Sequence, residues 1–213
     1  MTTALIAGAS GLVGGLLLQH LLADARYEQV VSLGRRKLDV DHPKLRQESV
    51  DFGALDKLAP FPVCDDVFSC LGTTIKKAGS KEAFYAVDHD AVIAVGKAAR
   101  AAGAKQMLHV SSLGADAGSM IFYNRVKGET ERDVAAIGFD AAVAFQPSII
   151  DGERAESRTG ERIGLAVTRL FAPVLGKYKP TSADAIARAM IAVAKEKRSG
   201  SFVVDSREIE RLA

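Results

Sequence analysis

Short apolar runs alternate with longer helical stretches along most of the chain, and this alternation constrains the fold more than any single motif. The helical stretches are expected at about residues 11–23, 80–102, 119–137, 160–172 and 182–197. The apolar runs are continuous, which is typical of parallel strands covered by helices on both faces. The sequence therefore predicts a doubly wound α/β domain with a parallel sheet. The runs lie within TALIAG, EQVVSLG, LRQESVDF, DDVFSCLG, KQMLHVSS, DAAVAFQPS and SFVVDS.

Ligands of such sheets bind in the crevice outside the carboxyl ends of the strands. The residues that follow each apolar run, together with a tyrosine and a lysine of the helix that starts near residue 119, are therefore the first candidates for contact with a cofactor. These candidates are Gly8, Ser10, Gly11, Leu12, Val13, Gly14, Arg35, Arg36, Asp51, Leu71, Gly72, Thr73, Tyr123, Lys127, Pro147 and Ile149.

The stretch GASGLVG places three glycines between the first strand and a long helix. Its spacing differs by one residue from the GxGxxG dinucleotide fingerprint. Gly8 suits a turn with positive φ, Gly11 lets a pyrophosphate approach the backbone, and Gly14 allows close contact between helix and strand. We expect a pyrophosphate loop, and a glycine-rich turn that serves only packing is the alternative.

The end of the second strand tests which dinucleotide such a loop would hold. An NAD-preferring site has an acidic residue about 20 residues after the last glycine, to bind the ribose 2′-hydroxyl. Here that position is Gly34, and the sequence reads GRRK with no carboxylate. Arg35 and Arg36 have planar guanidinium groups that suit a 2′-phosphate, which predicts NADP(H) as cofactor. A solvated surface turn is the alternative.

The stretch FYNRVKGE places Tyr123 and Lys127 one turn apart on the same face of a helix. A phenol ordinarily has a pKa of about 10, and a neighbouring ammonium favours the phenolate. Tyr123 is thus a candidate to give a proton to a carbonyl oxygen, or to take it from an alcohol. Ser111 or Ser112 would bind the same oxygen, and Lys127 would hold the nicotinamide ribose. An exposed pair with no chemical role is the alternative.

Composition narrows the remaining classes of protein. The 213 residues are 48% hydrophobic with a net charge of +2 and no long basic cluster, so nucleic acid is not an expected partner. No apolar run reaches the roughly 18 residues of a membrane span. Cys64 and Cys70 are expected to be buried free thiols of a reducing compartment. With no signal peptide recognised, the expectation is a cytoplasmic protein, and a homodimer is left open.

Several motifs together resemble the atypical short-chain dehydrogenase/reductase superfamily, in the branch of the Tat-interacting protein and its bacterial NAD(P)-binding relatives. The resemblance runs from the first strand to about residue 190 and implies an NADP(H)-binding Rossmann fold. It also implies that Tyr123 and Lys127 match the YxxxK pair of the family. Ser112, in preference to Ser111, matches the catalytic serine. The motifs are GASGLVG, GRRKL, CLGTT, VSSLGAD, YNRVKGE and ESRTGE.

The chain departs from the superfamily pattern in two places. The usual asparagine motif after the fourth strand is replaced by CLGTT. The large C-terminal substrate domain of extended members is absent, so a single domain over residues 1–213 is expected, with residues 148–180 as a small substrate cap. The animal relatives are linked to regulation as much as to a defined reaction.

Other polar residues have competing interpretations. Asp51 would accept from an adenine amino group or be a plain loop acid, and Thr73 and Thr74 would line the cofactor or cap the loop. The segment DGERAESRTGE is a surface loop or a lid in which Arg154 or Arg158 meets an acidic substrate group. The four histidines share no ligand spacing, so no metal site is expected.

These observations favour an NADP(H)-dependent reductase or dehydrogenase acting on a small carbonyl or alcohol, with hydride transfer assisted by the tyrosine, lysine and serine. A non-catalytic NADP(H) sensor that changes its contacts with redox state is the rival hypothesis. A third hypothesis is an assembly protein that uses the fold only structurally.

Overall fold

The computed structural model describes residues 2–151 and 180–213. Within these residues the strands are β1 (Thr3–Ala7), β2 (Gln29–Gly34), β3 (Leu45–Ser49), β4 (Asp66–Ser69), β5 (Gln106–Val110), β6 (Ala141–Gln146), β7 (Ile150–Asp151), β8 (Thr181–Ser182) and β9 (Gly200–Asp205). Seven of them form one parallel sheet in the order β3-β2-β1-β4-β5-β6-β9. The predicted doubly wound parallel sheet is confirmed.

The helices mostly follow the expected positions. The helix expected near residue 119 begins at Phe122, and the stretch near 80–102 is divided by a π-helical turn at Ala86–Asp90. The helices Ile75–Ala78 and Ser206–Leu212 and the 3-10 helix Phe52–Lys57 were not predicted. The expected helix near 160–172 lies outside the described residues. The described α-helices are α1 (Leu12–Ala23), α2 (Ile75–Ala78), α3 (Lys81–Tyr85), α4 (Ala91–Ala101), α5 (Phe122–Ala135), α6 (Ala183–Glu196) and α7 (Ser206–Leu212), and a 3-10 helix spans Phe52–Lys57.

Helices cover both faces of the sheet, which explains the continuous apolar strands. On one face, α1, α6 and α7 bury side chains such as Leu17, Met190 and Ile209 in one apolar cluster. On the other face, residues such as Val95 of α4 and Val134 of α5 form a second cluster. The two outermost strands are less buried, since each has a neighbour on one side only. This is why β3, in LRQES, is a polar sequence.

The strand order reverses at the centre of the sheet. The chain runs outward from β1 to β2 and β3, then returns to place β4 on the other side of β1. Ligands of open α/β sheets bind in the crevice at this reversal, outside the carboxyl ends of the strands. The residues after β1 and β4 therefore lie at the centre of the expected site.

The predicted cap over residues 148–180 falls mostly outside the described part of the chain. Its described ends form a separate two-stranded parallel sheet, in which Ile150 pairs with Thr181 and Asp151 with Ser182. Arg154 and Arg158, the two lid candidates, lie outside the described residues. None of the described helices combines the length and the apolar character that crossing a bilayer requires.

Candidate functional site

The glycine loop between β1 and α1 is built by close approach of backbone to backbone. Gly8 has a φ of +90°, and a Cβ atom there would lie 2.6 Å from the carbonyl carbon and oxygen of Cys70. A Cβ atom on Gly14 would lie 2.2 Å from the carbonyl oxygen of Gly8. Gly11 is less constrained, since its Cβ would lie 3.3 Å from that same oxygen. Gly8 and Gly14 thus bring the first turn of α1 against the ends of β1 and β4.

The N-terminus of α1 faces outward without a side-chain cap. Gly11 is the N-cap residue, and no side chain accepts a hydrogen bond from the first turn. Ser10 and Gly11 are exposed, whereas Val13 packs into the apolar core. The first backbone N–H groups of a helix lack partners within it and attract anions. Leu12, Val13 and Gly14 can therefore present N–H groups to a phosphate, with Val13 contributing through its backbone only.

The two arginines after β2 lie free at the same edge of the sheet. Arg35 and Arg36 are exposed, and neither has a hydrogen bond or ion pair with the described residues. The exposed guanidinium groups are thus available to a ligand that carries a phosphate.

Asp51 and Thr74 both serve as helix caps. The Asp51 carboxylate accepts from the backbone N–H of Gly53 at 2.9 Å and caps the 3-10 helix. The Thr74 hydroxyl accepts from the backbone N–H of Lys77 at 3.2 Å and caps α2. Thr74 thus caps a helix, while contacts of Thr73 with the cofactor and of Asp51 with adenine stay predictions.

The loop after β4 packs on a buried ion pair. The Nζ atom of Lys127 lies 2.7 Å from Oδ1 of Asp88, and both side chains are buried. The backbone N–H of Thr73 donates to Oδ2 of Asp88 at 2.8 Å. A Cβ atom on the exposed Gly72 would lie 3.4 Å from Oδ1 of Asp88 and 3.8 Å from Nζ of Lys127. Gly72 thus covers the pair and is exposed, whereas Leu71 packs against the apolar cluster of α4 and Thr73 is half-buried.

Tyr123 stands one turn before Lys127 at the start of α5. Its half-buried ring packs on Phe84 of α3 with the ring centroids 5.6 Å apart. No hydrogen bond joins its hydroxyl to the described residues. The ring is therefore held by an apolar contact while the hydroxyl is unpaired.

The two serines after β5 have different surroundings. The Ser111 hydroxyl donates to Oε1 of Glu131, and the Gln146 amide donates to both oxygens of that carboxylate at 2.9 and 3.0 Å. Burial raises the pKa of Glu131, and the hydrogen bonds from Ser111 and Gln146 oppose that rise. The Ser112 hydroxyl is buried and finds no hydrogen-bond partner among the described residues. Ser112, and not Ser111, therefore has a free hydroxyl at the edge.

Two predicted site residues, Pro147 and Ile149, follow β6 at the carboxyl edge of the sheet. Pro147 is buried, and its carbonyl accepts from the backbone N–H of Leu113 at 2.8 Å. Ile149 is 55% exposed, and its carbonyl accepts from Thr181 at 2.9 Å. Of the two, only Ile149 has a side chain open to a ligand.

Sequence reasoning missed three polar residues beneath this edge: the buried Asp88 and His109 and the half-buried Glu131. Glu131 follows Lys127 by four residues, so the helical period that linked Tyr123 to Lys127 would have found it. Burial and the nearby Lys127 ammonium lower the pKa of His109 to about 3. A hydrogen bond with the backbone of Val143 opposes this lowering of the pKa of His109. Among the same residues, no group of three or more His, Cys, Asp or Glu could hold a metal.

Comparison with known proteins places this site in a family. A family model described as NAD(P)H-binding matches residues 8–197. The chain is 42% identical over 160 residues to protein HTATIP2 of Rattus norvegicus, covering 73% of this chain and 66% of that protein. It is 32% identical over 226 residues to the mitochondrial protein fmp52 of Aspergillus niger, covering 98% of this chain and 94% of that protein.

Solved structures share the fold at low sequence identity. MoeE5 in complex with UDP-glucose and NAD has a TM-score of 0.72 at 17% identity, with 97% of this chain and 79% of that chain covered. The UDP-glucose 4-epimerase of Thermotoga maritima with UDP-glucose has a TM-score of 0.72 at 13% identity, with 96% and 77% covered. These similarities establish the Rossmann fold.

The predicted cytoplasmic location is wrong. The fmp52 proteins of Aspergillus niger, Emericella nidulans and Eremothecium gossypii are all named as mitochondrial, which contradicts it. Buried free thiols indicate a reducing compartment without specifying which one. The family match and these relatives together show that the chain belongs to the NAD(P)H-binding atypical short-chain dehydrogenase/reductases, as a relative of HTATIP2 and the fmp52 proteins.

Proposed function

We propose that the protein is an NADP(H)-dependent oxidoreductase that reduces a small carbonyl compound or oxidises the corresponding alcohol. The proposal rests on one observation: the buried hydroxyl of Ser112 has no partner among the described residues. Ser112 lies just after β5, and the next helix along the chain, α5, carries Tyr123 and Lys127. A buried hydroxyl without a partner is costly, so a ligand oxygen that bonds to it explains why it is kept.

The residues around the glycine loop suit a dinucleotide phosphate. The uncapped first turn of α1 offers backbone N–H groups and the positive end of the helix dipole to a pyrophosphate. Arg35 and Arg36 are exposed beyond β2, where the ribose of the adenosine half would lie. Their charge favours a 2′-phosphate and hence NADP(H) over NAD(H).

The other end of the site suits proton transfer. NADPH supplies the hydride when it is bound. Tyr123 donates its phenolic proton to the carbonyl oxygen of the substrate, and Ser112 donates a hydrogen bond to the same oxygen. Lys127 would hold the nicotinamide ribose. One hydride and one proton thus convert the carbonyl into an alcohol, and the reverse reaction returns the proton to Tyr123.

The choice of cofactor is tested by NADPH fluorescence, which is free of indole background because the chain has no tryptophan. We expect NADPH to bind at least about 10-fold more tightly than NADH, since charge-assisted bonds to the 2′-phosphate are worth about 1.5–3 kcal/mol. Arg35→Ala and Arg36→Ala should remove this preference and leave NADH binding unchanged. The exposed neighbour Lys37 gives the control variant Lys37→Ala. Equal affinities in the wild type would contradict the NADP(H) assignment.

Catalysis is tested by turnover of aldehydes, ketones and quinones. Tyr123→Phe should reduce kcat by about 10²–10⁴-fold, because it removes the proton donor. Tyr85→Phe is the matched control, since Tyr85 stacks on His89 with the ring centroids 4.5 Å apart. Full turnover by Tyr123→Phe would exclude the phenol as the donor.

A non-catalytic NADP(H) sensor is the second candidate. It is favoured by the ion pair of Lys127 with Asp88, because a lysine charge that is neutralised by a carboxylate favours the Tyr123 phenolate less. Tight binding of NADPH without turnover of any carbonyl or alcohol in the screen would support the sensor and exclude the enzyme.

A further inference from the structure

The loop that carries Arg35 and Arg36 is held by a side chain from the neighbouring strand. This loop joins β2 to β3, and Gln47 of β3 reaches back to it. The Oε1 atom of Gln47 accepts from the backbone N–H of Leu38 at 2.7 Å, and its Nε2 atom donates to the carbonyl oxygen of Leu38 at 3.2 Å. The same Nε2 atom donates to the carbonyl oxygen of Val40 at 3.1 Å. One amide thus satisfies three backbone groups of the loop.

The three partners suit an amide side chain. The two carbonyl oxygens need a donor and the N–H group needs an acceptor, and an amide supplies both. A glutamate would keep the bond from the N–H group but would set a carboxylate against two carbonyl oxygens. A lysine would lose the acceptor. The loop therefore depends on an amide at position 47 rather than on polarity alone.

The loop is also fixed on either side of its basic residues. The side chain of Leu38 is half-buried and packs against the apolar cluster of α1, α6 and α7. On the other side, the backbone of Arg36 folds back over the end of β2, since a Cβ atom on Gly34 would lie 3.1 Å from the carbonyl oxygen of Arg36. The consecutive cations at positions 35–37 are therefore bracketed by Gly34 before them and Leu38 after them.

The charges of the loop explain why this anchoring matters. Arg35, Arg36 and Lys37 are all exposed, and like charges on consecutive residues repel one another. A phosphate that binds a mobile loop has to order it, and the lost conformational entropy reduces the affinity. A loop that is anchored at Leu38 before the phosphate arrives loses less entropy on binding. The anchoring therefore favours a ligand that uses the arginines, whereas a ligand without the second phosphate gains nothing from it.

We propose that Gln47 is a positioning residue for cofactor selectivity, which holds the loop of Arg35 and Arg36 in the shape that a ribose 2′-phosphate requires. The inference rests on the proposed function, and in particular on NADP(H) as the cofactor. It assigns discrimination between NADP(H) and NAD(H) to a side chain of β3 that acts through the loop and not by contact with the dinucleotide.

The first test compares the affinities of Gln47→Met for NADPH and NADH by their fluorescence. Methionine keeps the length of the side chain and removes all three hydrogen bonds. NADPH should bind about 10-fold more weakly than to the wild type, while the affinity for NADH should change less than about 2-fold. A variant that only damaged the fold would weaken both dinucleotides alike, and that result would overturn the inference.

Arg46→Met is the matched control on the same strand. Successive residues of a strand point to opposite faces of the sheet, and the Arg46 guanidinium pairs with Glu48 at 2.7 Å. The substitution removes a positive charge next to Gln47 in the sequence but none of the bonds to the loop. Both dinucleotide affinities should stay within about 2-fold of those of the wild type. A loss of NADPH affinity equal to that of Gln47→Met would show that charge, and not the anchoring, is responsible.

A double-mutant cycle tests whether Gln47 acts through the arginines. Added to Arg35→Ala/Arg36→Ala, Gln47→Met should change the affinity for NADPH by less than about 2-fold. A further loss of about 10-fold would mean that Gln47 acts independently of the arginines, which overturns the inference. A preference for NADPH that survives Gln47→Met would overturn the inference alone. Equal affinities for NADPH and NADH in the wild type would overturn both the cofactor assignment and the inference.

Hydrogen exchange of the Leu38 amide tests the anchoring without a cofactor. This amide should exchange at least about 10-fold faster in Gln47→Met than in the wild type, whereas Gln47→Glu, which keeps the acceptor, should protect it. The Val50 amide donates to the carbonyl oxygen of Gly34 at 2.8 Å, so it reports on the pairing of β2 with β3 and should be unchanged. An unchanged rate at Leu38 in Gln47→Met, or equal acceleration at both amides, would show that Gln47 does not hold the loop specifically and would overturn the inference.

Discussion

The two ends of the candidate site are built in different ways. At the ends of β1 and β2 the site consists of backbone, held close by Gly8 and Gly14, with exposed arginines at the rim. At the ends of β4 and β5 it consists of buried polar side chains, in which Lys127 pairs with Asp88 and Glu131 with Ser111. At the ends of β1 and β2, which we call the backbone end, the backbone packs so closely that no side chain fits. At the ends of β4 and β5, which we call the polar end, charged side chains are held by an ion pair and by hydrogen bonds. The two ends should therefore fail under different substitutions.

The largest expected effect is at the backbone end. Gly14→Ala places a Cβ atom 2.2 Å from the carbonyl oxygen of Gly8, so the loop must shift. We expect a loss of about 3 kcal/mol in the free energy of unfolding. Gly15→Ala is the matched control, since its Cβ atom would lie 3.5 Å from the nearest atom, and it should stabilise by about 0.5–1 kcal/mol. Urea unfolding measures both, and equal effects would contradict the packing argument.

The second prediction concerns how the free energy of unfolding depends on pH through His109 at the polar end. Burial and Lys127 hold the pKa of His109 at about 3 in the folded chain, against a usual value of about 6.5. Below pH 6.5 the unfolded chain therefore binds a proton that the folded chain does not. Stability is fully present above this pH and falls by up to about 1.4 kcal/mol per pH unit toward pH 3. His109→Leu should show a shallower slope between pH 6 and 5, and parallel curves would contradict the assignment.

The third prediction separates the two serines. Ser111→Ala leaves the half-buried Glu131 carboxylate without one hydrogen bond, so it should cost about 1–3 kcal/mol of stability and change kcat less than about 3-fold. Ser112→Ala removes a buried hydroxyl without a partner among the described residues, so the free energy of unfolding should rise by about 1–3 kcal/mol. Its kcat should fall by at least about 10-fold. The reverse pattern would move the catalytic role to Ser111.

The smallest effect is expected at Asp51. Asp51→Ala removes the cap of the 3-10 helix and should cost about 1 kcal/mol, whereas Asp51→Asn keeps an acceptor and should cost a few tenths. Thermal unfolding distinguishes the two variants. A loss of more than about 10-fold in NADPH affinity with Asp51→Asn would show that this residue also contacts the adenine.

The sequence predicts the backbone end better than the polar end. The spacing of glycines indicates local geometry, because a position with no room for a Cβ atom must be a glycine and is therefore visible in the sequence. The sheet could likewise be predicted from the apolar runs, including the edge strand β3 within LRQESVDF, whereas the helices α2 and α7 were not predicted. The location was predicted wrongly, because buried thiols indicate only a reducing compartment.

The polar end could be predicted only in part. Tyr123 and Lys127 share a helix face, so their spacing reveals them. Asp88 lies 39 residues before Lys127, and neither its burial nor its ion pair can be inferred from local sequence. An aspartate in a helical stretch is usually solvated, so its burial depends on long-range packing that periodicity does not report.

The contact of Gly8 with Cys70 has a consequence for folding. Residues 4–7 of β1 pair with residues 66–69 of β4. Bringing these two distant segments together closes a long loop, and the loss of conformational entropy precedes any stabilising contact between them. The glycine loop reaches its final shape only after β4 has docked, because the backbone of Cys70 forms one of its walls. A dinucleotide that binds this loop therefore selects chains in which the centre of the sheet is already assembled, and it stabilises them by mass action.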